Sequence, residues 1–362
     1  MNTSLGVIFH GPGQDLELRR IPLPEPAGTE ILVRVLGCTV CGSDLHTFDG
    51  RRETPTPTIL GHEIVGEVEA LGDAVAGVDL AGRPLRVGDR VTWSIVAHCG
   101  SCFYCRRGLP QKCLQMLKYG HEALAPGREL LGGLAEHCLL VPGTAVVRLP
   151  ASLPLPVACP ANCATATVAA AIAAAGEMRD ATVCVFGLGM LGLTASAMLR
   201  AKGAAHVVGV DVNERRVARG ATFGATHAVT PEELAPVALS LTEGQGFDVI
   251  LELSGKTPAF ACGWDLVRLG GTLVLVGSVF PAEPVAMHLE AIVRRNVTIR
   301  GIHNYAPKDL VNAVEFLAEH HEAFPFASLV DAWFPLEHAA EAFACSHDPE
   351  HIRVGVRPRW AG

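Results

Sequence analysis

Apolar and polar positions change rhythm near residue 160. Before it, short apolar runs at 31–35, 64–68 and 137–141 alternate with breaks at Pro22, Pro24, Pro26, Pro55, Pro57, Gly61, Gly72 and Gly88. Such runs, punctuated this way, predict short strands in an irregular β-sheet. No long helical period precedes residue 160. The stretch 157–175 is apolar and Ala-rich but is broken by Pro160 and Asn162, so it reads as a buried loop and helix. Beyond it the spacing predicts strands at 182–186, 207–211, 225–229, 249–253, 272–276 and 297–302. Helical periods fall between them, at 188–202 and 214–223 among others. Alternating β and α at this spacing predicts a doubly wound parallel sheet. The tail from about residue 305 carries two helix-like segments and a short run at 353–356 that can return to the first domain.

Composition narrows the function classes. A chain of 362 residues suggests about two domains, and 49% hydrophobic against 18% charged residues excludes a disordered chain. The net charge is −8 with no basic run, which argues against a nucleic-acid partner. The sequence Met1-Asn2-Thr3-Ser4-Leu5-Gly6 lacks a charged and then apolar leader, and no membrane span is expected. Twelve cysteines in such a chain imply thiols in a reducing cytoplasm, several of them on metal.

Gly187-Leu188-Gly189-Met190-Leu191-Gly192 follows a predicted strand and opens a predicted helix. Glycines at these positions allow a tight turn, close approach of a pyrophosphate and close helix–strand packing. Nineteen residues on, the next strand ends in Asp211. A carboxylate there accepts ribose hydroxyls and repels a 2′-phosphate, which favours NAD over NADP. Arg215 and Arg216 lie close behind and can soften that preference.

Cys99, Cys102, Cys105 and Cys113 form a C-x2-C-x2-C-x7-C run within a lobe at 95–118. Four thiolates this close can close the tetrahedral shell of a structural zinc ion, the alternative being disulfides or core thiols. Three further segments stand apart: Cys38-Thr39-Val40-Cys41-Gly42-Ser43-Asp44-Leu45-His46, Gly61-His62-Glu63 and Pro160-Ala161-Asn162-Cys163-Ala164-Thr165.

On these motifs, and on their order, the chain resembles the zinc-containing medium-chain alcohol dehydrogenases over nearly its full length. The likeness implies a GroES-like irregular β catalytic domain at 1–160 and 305–362 and an NAD-binding Rossmann domain at 161–304. It implies catalytic zinc ligands at Cys41, His62 and Cys163, a structural zinc on the four-cysteine lobe, and NAD at Gly187, Gly189, Met190, Leu191, Gly192, Asp211 and Arg216. Cys159 competes with Cys163 as third ligand, and alignment with the family's helix start favours Cys163. Two thiolates and one imidazole leave a fourth position open for water or a substrate oxygen. The resemblance gives Ser43 and His46 the proton relay. Asp44 would hold the other nitrogen of His62, and Glu63 would sit beside the metal.

The expected reaction is hydride transfer between NAD and a small alcohol or aldehyde. The alternatives are an NADP(H)-linked aldehyde reductase and a non-catalytic member of the fold. Arg51, Arg52, Lys118, His121 and His303 lie at loop positions expected near the pocket, which suggests a substrate bearing an anionic group such as a phosphonate. A weaker similarity to a clade linked to phosphonate breakdown points the same way. A homodimer or homotetramer is expected, with 297–302 and 271–279 as pairing surfaces.

Overall fold

A computed structural model of the chain describes residues 2–359. Its first elements are β1 (Thr3–Phe9), β2 (Glu17–Pro22), β3 (Ile31–Val40), α1 (Gly42–Phe48), β4 (Thr58–Ile59), β5 (Glu63–Leu71), β6 (Arg90–Trp93), β7 (Val96–Ala97), β8 (Leu117–Lys118), β9 (His137–Leu140), β10 (Val146–Arg148) and α2 (Leu155–Ala158). Next come α3 (Ala164–Ala175), β11 (Thr182–Phe186), α4 (Met190–Ala201), β12 (His206–Val210), α5 (Glu214–Gly220), β13 (His227–Val229), α6 (Pro231–Thr242), β14 (Phe247–Glu252), α7 (Thr257–Leu266), β15 (Val267–Leu275), α8 (Leu289–Arg295) and β16 (Thr298–Gly301). The tail holds α9 (Pro307–His320), β17 (Val330–Pro335), α10 (Ala339–Ser346) and β18 (Arg353–Arg357).

The chain divides into two compact units. One takes the residues up to Cys163, Ala306–His321 and those from Phe326 onward; the other takes Ala164–Tyr305 and Glu322–Pro325.

In the first unit, β3 is the central strand of a sheet ordered β10-β6-β5-β3-β18-β17, with β9 also on β3. The antiparallel register of β3 with β5 sets Thr39 opposite Glu63. That pairing carries Cys41, two residues past Thr39, and His62, just before Glu63, to the same end of the sheet. The tail returns to the first unit, and β18 pairs antiparallel with β3, Val354 opposite Val40 and Val356 opposite Cys38. Valines and isoleucines of these strands share a core with Phe9, Leu134 and Phe343. Phe343 on α10 stacks on Phe48 of α1 with ring centroids 4.5 Å apart, so the helix that follows Cys41 is held from the tail.

The second unit is a six-stranded sheet ordered β13-β12-β11-β14-β15-β16. Every strand pair in it is parallel. β11, Thr-Val-Cys-Val-Phe, is apolar almost throughout because a parallel strand between two helix layers is buried on both faces. Strand order reverses between β11 and β14, the crevice where such sheets bind ligands.

The strands expected beyond residue 160 are present, with shifted ends. β15 starts at Val267 and runs through Gly270-Gly271, a pair that reads as a turn in sequence. Both edges of β15 are occupied, by β14 and β16, so most of 271–279 is not an open pairing surface. β16 is one edge strand of this sheet and β13 the other. Short strands such as β4, β7 and β8, two residues each, are too brief to leave a period in the sequence. Among the described residues no single helix is long and apolar enough to cross a membrane.

Phe343 is completely buried. Phe343→Ala should lower stability by about 3–5 kcal/mol, the usual cost of emptying a core aromatic site. Urea unfolding of the two proteins measures the difference.

Candidate active site

Cys41 is the N-cap of α1, which projects Ser43, Asp44 and His46 from its first turns. The Asp44 carboxylate binds two of the expected ligand residues at once. One oxygen accepts the Cys41 N–H at 2.9 Å, and the other lies 3.1 Å from His62 Nδ1. A proton on Nδ1 donating to Asp44 leaves the Nε2 lone pair facing away from it. Cys163 Sγ is 3.5 Å from that Nε2 and Ser43 Oγ is 3.4 Å from it. Ligand atoms of Cys41, His62, Glu63 and Cys163 all lie within 4.8 Å of one another. A thiolate and an imidazole sharing one tetrahedral zinc are about 3.6 Å apart, so the donor set fits that ion. Cys163, not Cys159, stands at this cluster; Cys159 is fully buried, and burial pushes its thiol above the usual range.

Glu63 is completely buried, and its carboxylate is clamped. Arg353 of β18 donates Nε to one oxygen at 3.1 Å and Nη2 to the other at 3.3 Å, while Thr39 Oγ1 donates at 2.6 Å. Arg353 Nη2 also reaches Cys41 Sγ at 3.6 Å. The Cys163 thiol bonded to Cys41, with Arg353 beside it, holds the Cys41 thiol well below its ordinary pKa, and Cys163 is raised in return. Burial opposes charge on His62, but the Asp44 carboxylate and the Cys41 thiolate outweigh it and push its pKa up to about 10. A field that holds a proton this firmly also attracts a metal cation, so zinc must compete with protons for these atoms. Asn162, fully buried, donates to the carbonyls of His62 at 2.9 Å and Trp93 at 2.8 Å. Sequence reasoning missed Thr39, Asn162 and Arg353. For Arg353 the only signal is a cation at the head of a short strand whose next three residues are Val354, Gly355 and Val356.

On the lobe, Cys99, Cys102, Cys105 and Cys113 are free thiols whose sulfurs also lie within 4.8 Å of one another. Separations are 3.4 Å for Cys102–Cys105, 3.5 Å for Cys99–Cys113 and 3.9 Å for Cys102–Cys113. The edge of a zinc–thiolate tetrahedron is about 3.8 Å. Backbone N–H groups of Cys99 and Gln115 point at Cys113 Sγ, and that of Cys102 at Cys99 Sγ, each at 3.3 Å. Backbone hydrogen bonds from this loop bring the Cys102 thiol down to about 6.

In the second unit, Gly187, Gly189, Met190, Leu191, Gly192, Asp211 and Arg216 line one cavity of about 560 Å³, together with Ser254 and Lys256. A Cβ on Gly192 would lie 1.7 Å from the Gly187 carbonyl oxygen, so only glycine lets α4 start this close to β11. Gly189 caps α4, whose N-terminal N–H groups suit a pyrophosphate. Asp211 accepts from the Leu188 N–H at 2.7 Å and the Asn213 N–H at 2.9 Å, and Arg216 Nη1 is 3.9 Å away. The carboxylate therefore also braces the glycine turn.

Of the cations expected near the pocket, Arg52 and His121 meet, with Arg52 Nη1 3.4 Å from His121 Nε2. Arg51 instead pairs with Asp49 on the exposed surface. His303 belongs to the other unit.

Comparison with known proteins identifies the family. Residues 27–151 match the alcohol dehydrogenase GroES-like domain and 191–319 the zinc-binding dehydrogenase domain. The chain is 32% identical to an L-threonine 3-dehydrogenase of Edwardsiella ictaluri over 292 residues, 78% of this chain and 79% of that one. It is 30% identical to a 5-exo-hydroxycamphor dehydrogenase of Pseudomonas putida over 336 residues, 90% of this chain and 91% of that one. An alcohol dehydrogenase structure from Thermotoga maritima superposes with a TM-score of 0.93 at 27% identity, covering 99% of this chain and 100% of that one. No one substrate is common to these names. The irregular β unit is GroES-like, the parallel sheet is of the Rossmann type, and the chain belongs to the zinc-dependent medium-chain alcohol dehydrogenase family.

Proposed function

We propose that this chain is an NAD-linked alcohol dehydrogenase with one catalytic and one structural zinc, interconverting a small alcohol and its aldehyde. The observation that carries the reading is the convergence of Cys41, His62 and Cys163 within one buried cluster, set apart from the four-cysteine lobe. When bound, zinc supplies a Lewis acid for the alcohol oxygen and the dinucleotide supplies the hydride acceptor. The protein's own groups do the rest. Asp44 fixes the His62 ring by its Nδ1 side, and Arg353 with Thr39 keeps Glu63 from collapsing onto the thiolates. Ser43, 3.4 Å from His62 Nε2, takes the hydroxyl proton as it leaves. His46, three residues on and so on the same side of α1, passes it toward solvent. The lobe's closed set of sulfurs leaves no position for substrate, which makes its ion structural.

In the nucleotide cavity Asp211 supports NAD, and Arg216 on the same wall is what favours NADP as the second reading. The proposed assembly is a homo-oligomer. β16 offers an open edge, and Leu289 and Val293 on the neighbouring α8 are 74% and 73% exposed.

Atomic emission should find two zinc ions per chain, one for each cluster. Cys102→Ala should lose one equivalent and lower the melting temperature, with activity falling as a consequence. Cys41→Ala should lose one equivalent and all turnover, with a smaller fall in melting temperature than Cys102→Ala. A fully zinc-loaded, stable Cys102→Ala protein sinks the structural assignment. For the cofactor, kcat/KM with NAD+ should exceed that with NADP+ by about tenfold or more, equivalent to ~1.4 kcal/mol. Asp211→Ser should bring the two within about threefold of each other, or invert them, since Arg216 then stands alone. An unchanged ratio removes Asp211 as the discriminating group.

A further inference from the structure

The turn after β8 is locked against the segment between β4 and β5 that carries His62. Lys118 N–H donates to Glu122 Oε1 at 2.7 Å, and Thr58 Oγ1 donates to the Glu122 carbonyl at 2.6 Å. Gly120 has φ +75°, and a Cβ on it would lie 2.7 Å from the Gly61 carbonyl oxygen, one residue before His62. The His121 ring consequently lies 5.3 Å from the His62 ring, centroid to centroid. Arg52 can only donate, so at 3.4 Å His121 Nε2 accepts and the ring proton sits on Nδ1. His121 is 6% exposed, and its Nδ1 is buried without a hydrogen-bond partner. Lys118 and Arg52 make no ion pair among the described residues, and both feel the negative charge of Asp44 and Cys41.

We propose that Arg52, Lys118 and His121 form a recognition site for an oxyanionic group carried by the alcohol substrate, beside the Cys41–His62–Cys163 cluster. The inference rests on the dehydrogenase reading of that cluster and names the class of alcohol it acts on. Arg52 has only a long bond to a neutral imidazole as acceptor, Lys118 has no ion-pair partner and His121 Nδ1 has none either, so these neighbouring donors lack the anion that a carboxylate, sulfonate or phosphonate supplies. Burial, with Arg52 close by, pulls the Lys118 ammonium down to about 8, and burial also lowers Arg52. An arriving anion relieves each of these costs.

Balancing the thiolates does not by itself account for the two cations. Cys41, Cys163, Asp44 and Glu63 bring four negative charges when ionised. A divalent ion and Arg353 return three positive ones, leaving the cluster at minus one. Arg52 and Lys118 carry the total to plus one, the complement of a singly charged anion.

The test uses the zinc-loaded full chain with NAD+. Hydroxypropanoate, hydroxyethanesulfonate and hydroxyethylphosphonate are compared with propan-1-ol. At least one anionic alcohol should exceed propan-1-ol in kcat/KM by about tenfold or more, mostly through KM, and the one that leads identifies the headgroup. Calorimetry with the matching unreactive anions, propanoate, ethanesulfonate and ethylphosphonate, gives a second readout. Lys118→Met should weaken the best of them about tenfold, and Lys118→Arg should stay within about threefold of the parent. Zinc content and melting are read for each variant, and Arg52→Gln, on a separate loop, should show the same loss if Lys118→Met does not fold. Propan-1-ol matching all three anions, or anion affinity unchanged in Lys118→Met and Arg52→Gln, overturns the inference. Absence of turnover across neutral and anionic alcohols alike overturns the dehydrogenase reading instead.

Discussion

Burying Cys41, Cys163, Asp44 and Glu63 in one cluster obliges the surrounding structure to supply positive charge. Isolated buried anions are costly, and removing one partner of a buried pair leaves the other uncompensated. Much of the first unit reads as an answer to that constraint. β18 pairs with β3 in a register that delivers Arg353 to Glu63 and Cys41. Asp44 leans on His62, which makes the imidazole a strong base on its far side. The remaining negative charge is what a divalent metal ion neutralises, so metal affinity and fold are set by the same groups.

The two thiol clusters answer that demand in different ways. At the lobe, neighbouring N–H groups of one short loop face the sulfurs, and most of the loop is solvated. At the other cluster the stabilising groups come from β3, β5, α1 and β18, and Cys41 is buried while Cys163 is half-buried. A loop that makes its own environment can hold an ion wherever it is placed. A cluster assembled from four elements is only as well ordered as the sheet that joins them, which suits a site that must position a reacting molecule.

What was legible in the sequence follows the same division. The four-cysteine run, the glycine turn and the Cys41–His46 segment are local patterns; the four sulfurs meet, the glycines line one cavity, and Cys41, Ser43 and Asp44 gather round His62. Cys163 was distinguishable from Cys159 only by likeness to a family, because both lie in one apolar stretch and four residues decide which faces His62. Thr39, Asn162 and Arg353 were not legible. Their roles depend on strand register and on a chain return, and neither is encoded near them. The cations near the pocket were half legible. Arg52 and His121 meet, but Arg51, adjacent to Arg52, turns away to Asp49. Adjacent side chains in a loop need not share a direction, and sequence proximity says nothing about it.

The bond between Arg353 and Cys41 spans 312 positions of the chain. At ribosomal speeds of about 5–20 residues per second, that separation is roughly fifteen seconds to a minute of synthesis. Cys41 and His62 leave the ribosome early, and 164–305, contiguous in the chain, are complete before residue 353 has been added. The nascent protein therefore spends that interval with its thiols exposed and their counter-ion not yet made. Assembly of the inner cluster waits for residue 353, whereas the lobe, whose four sulfurs lie within fifteen residues, depends on no distant residue.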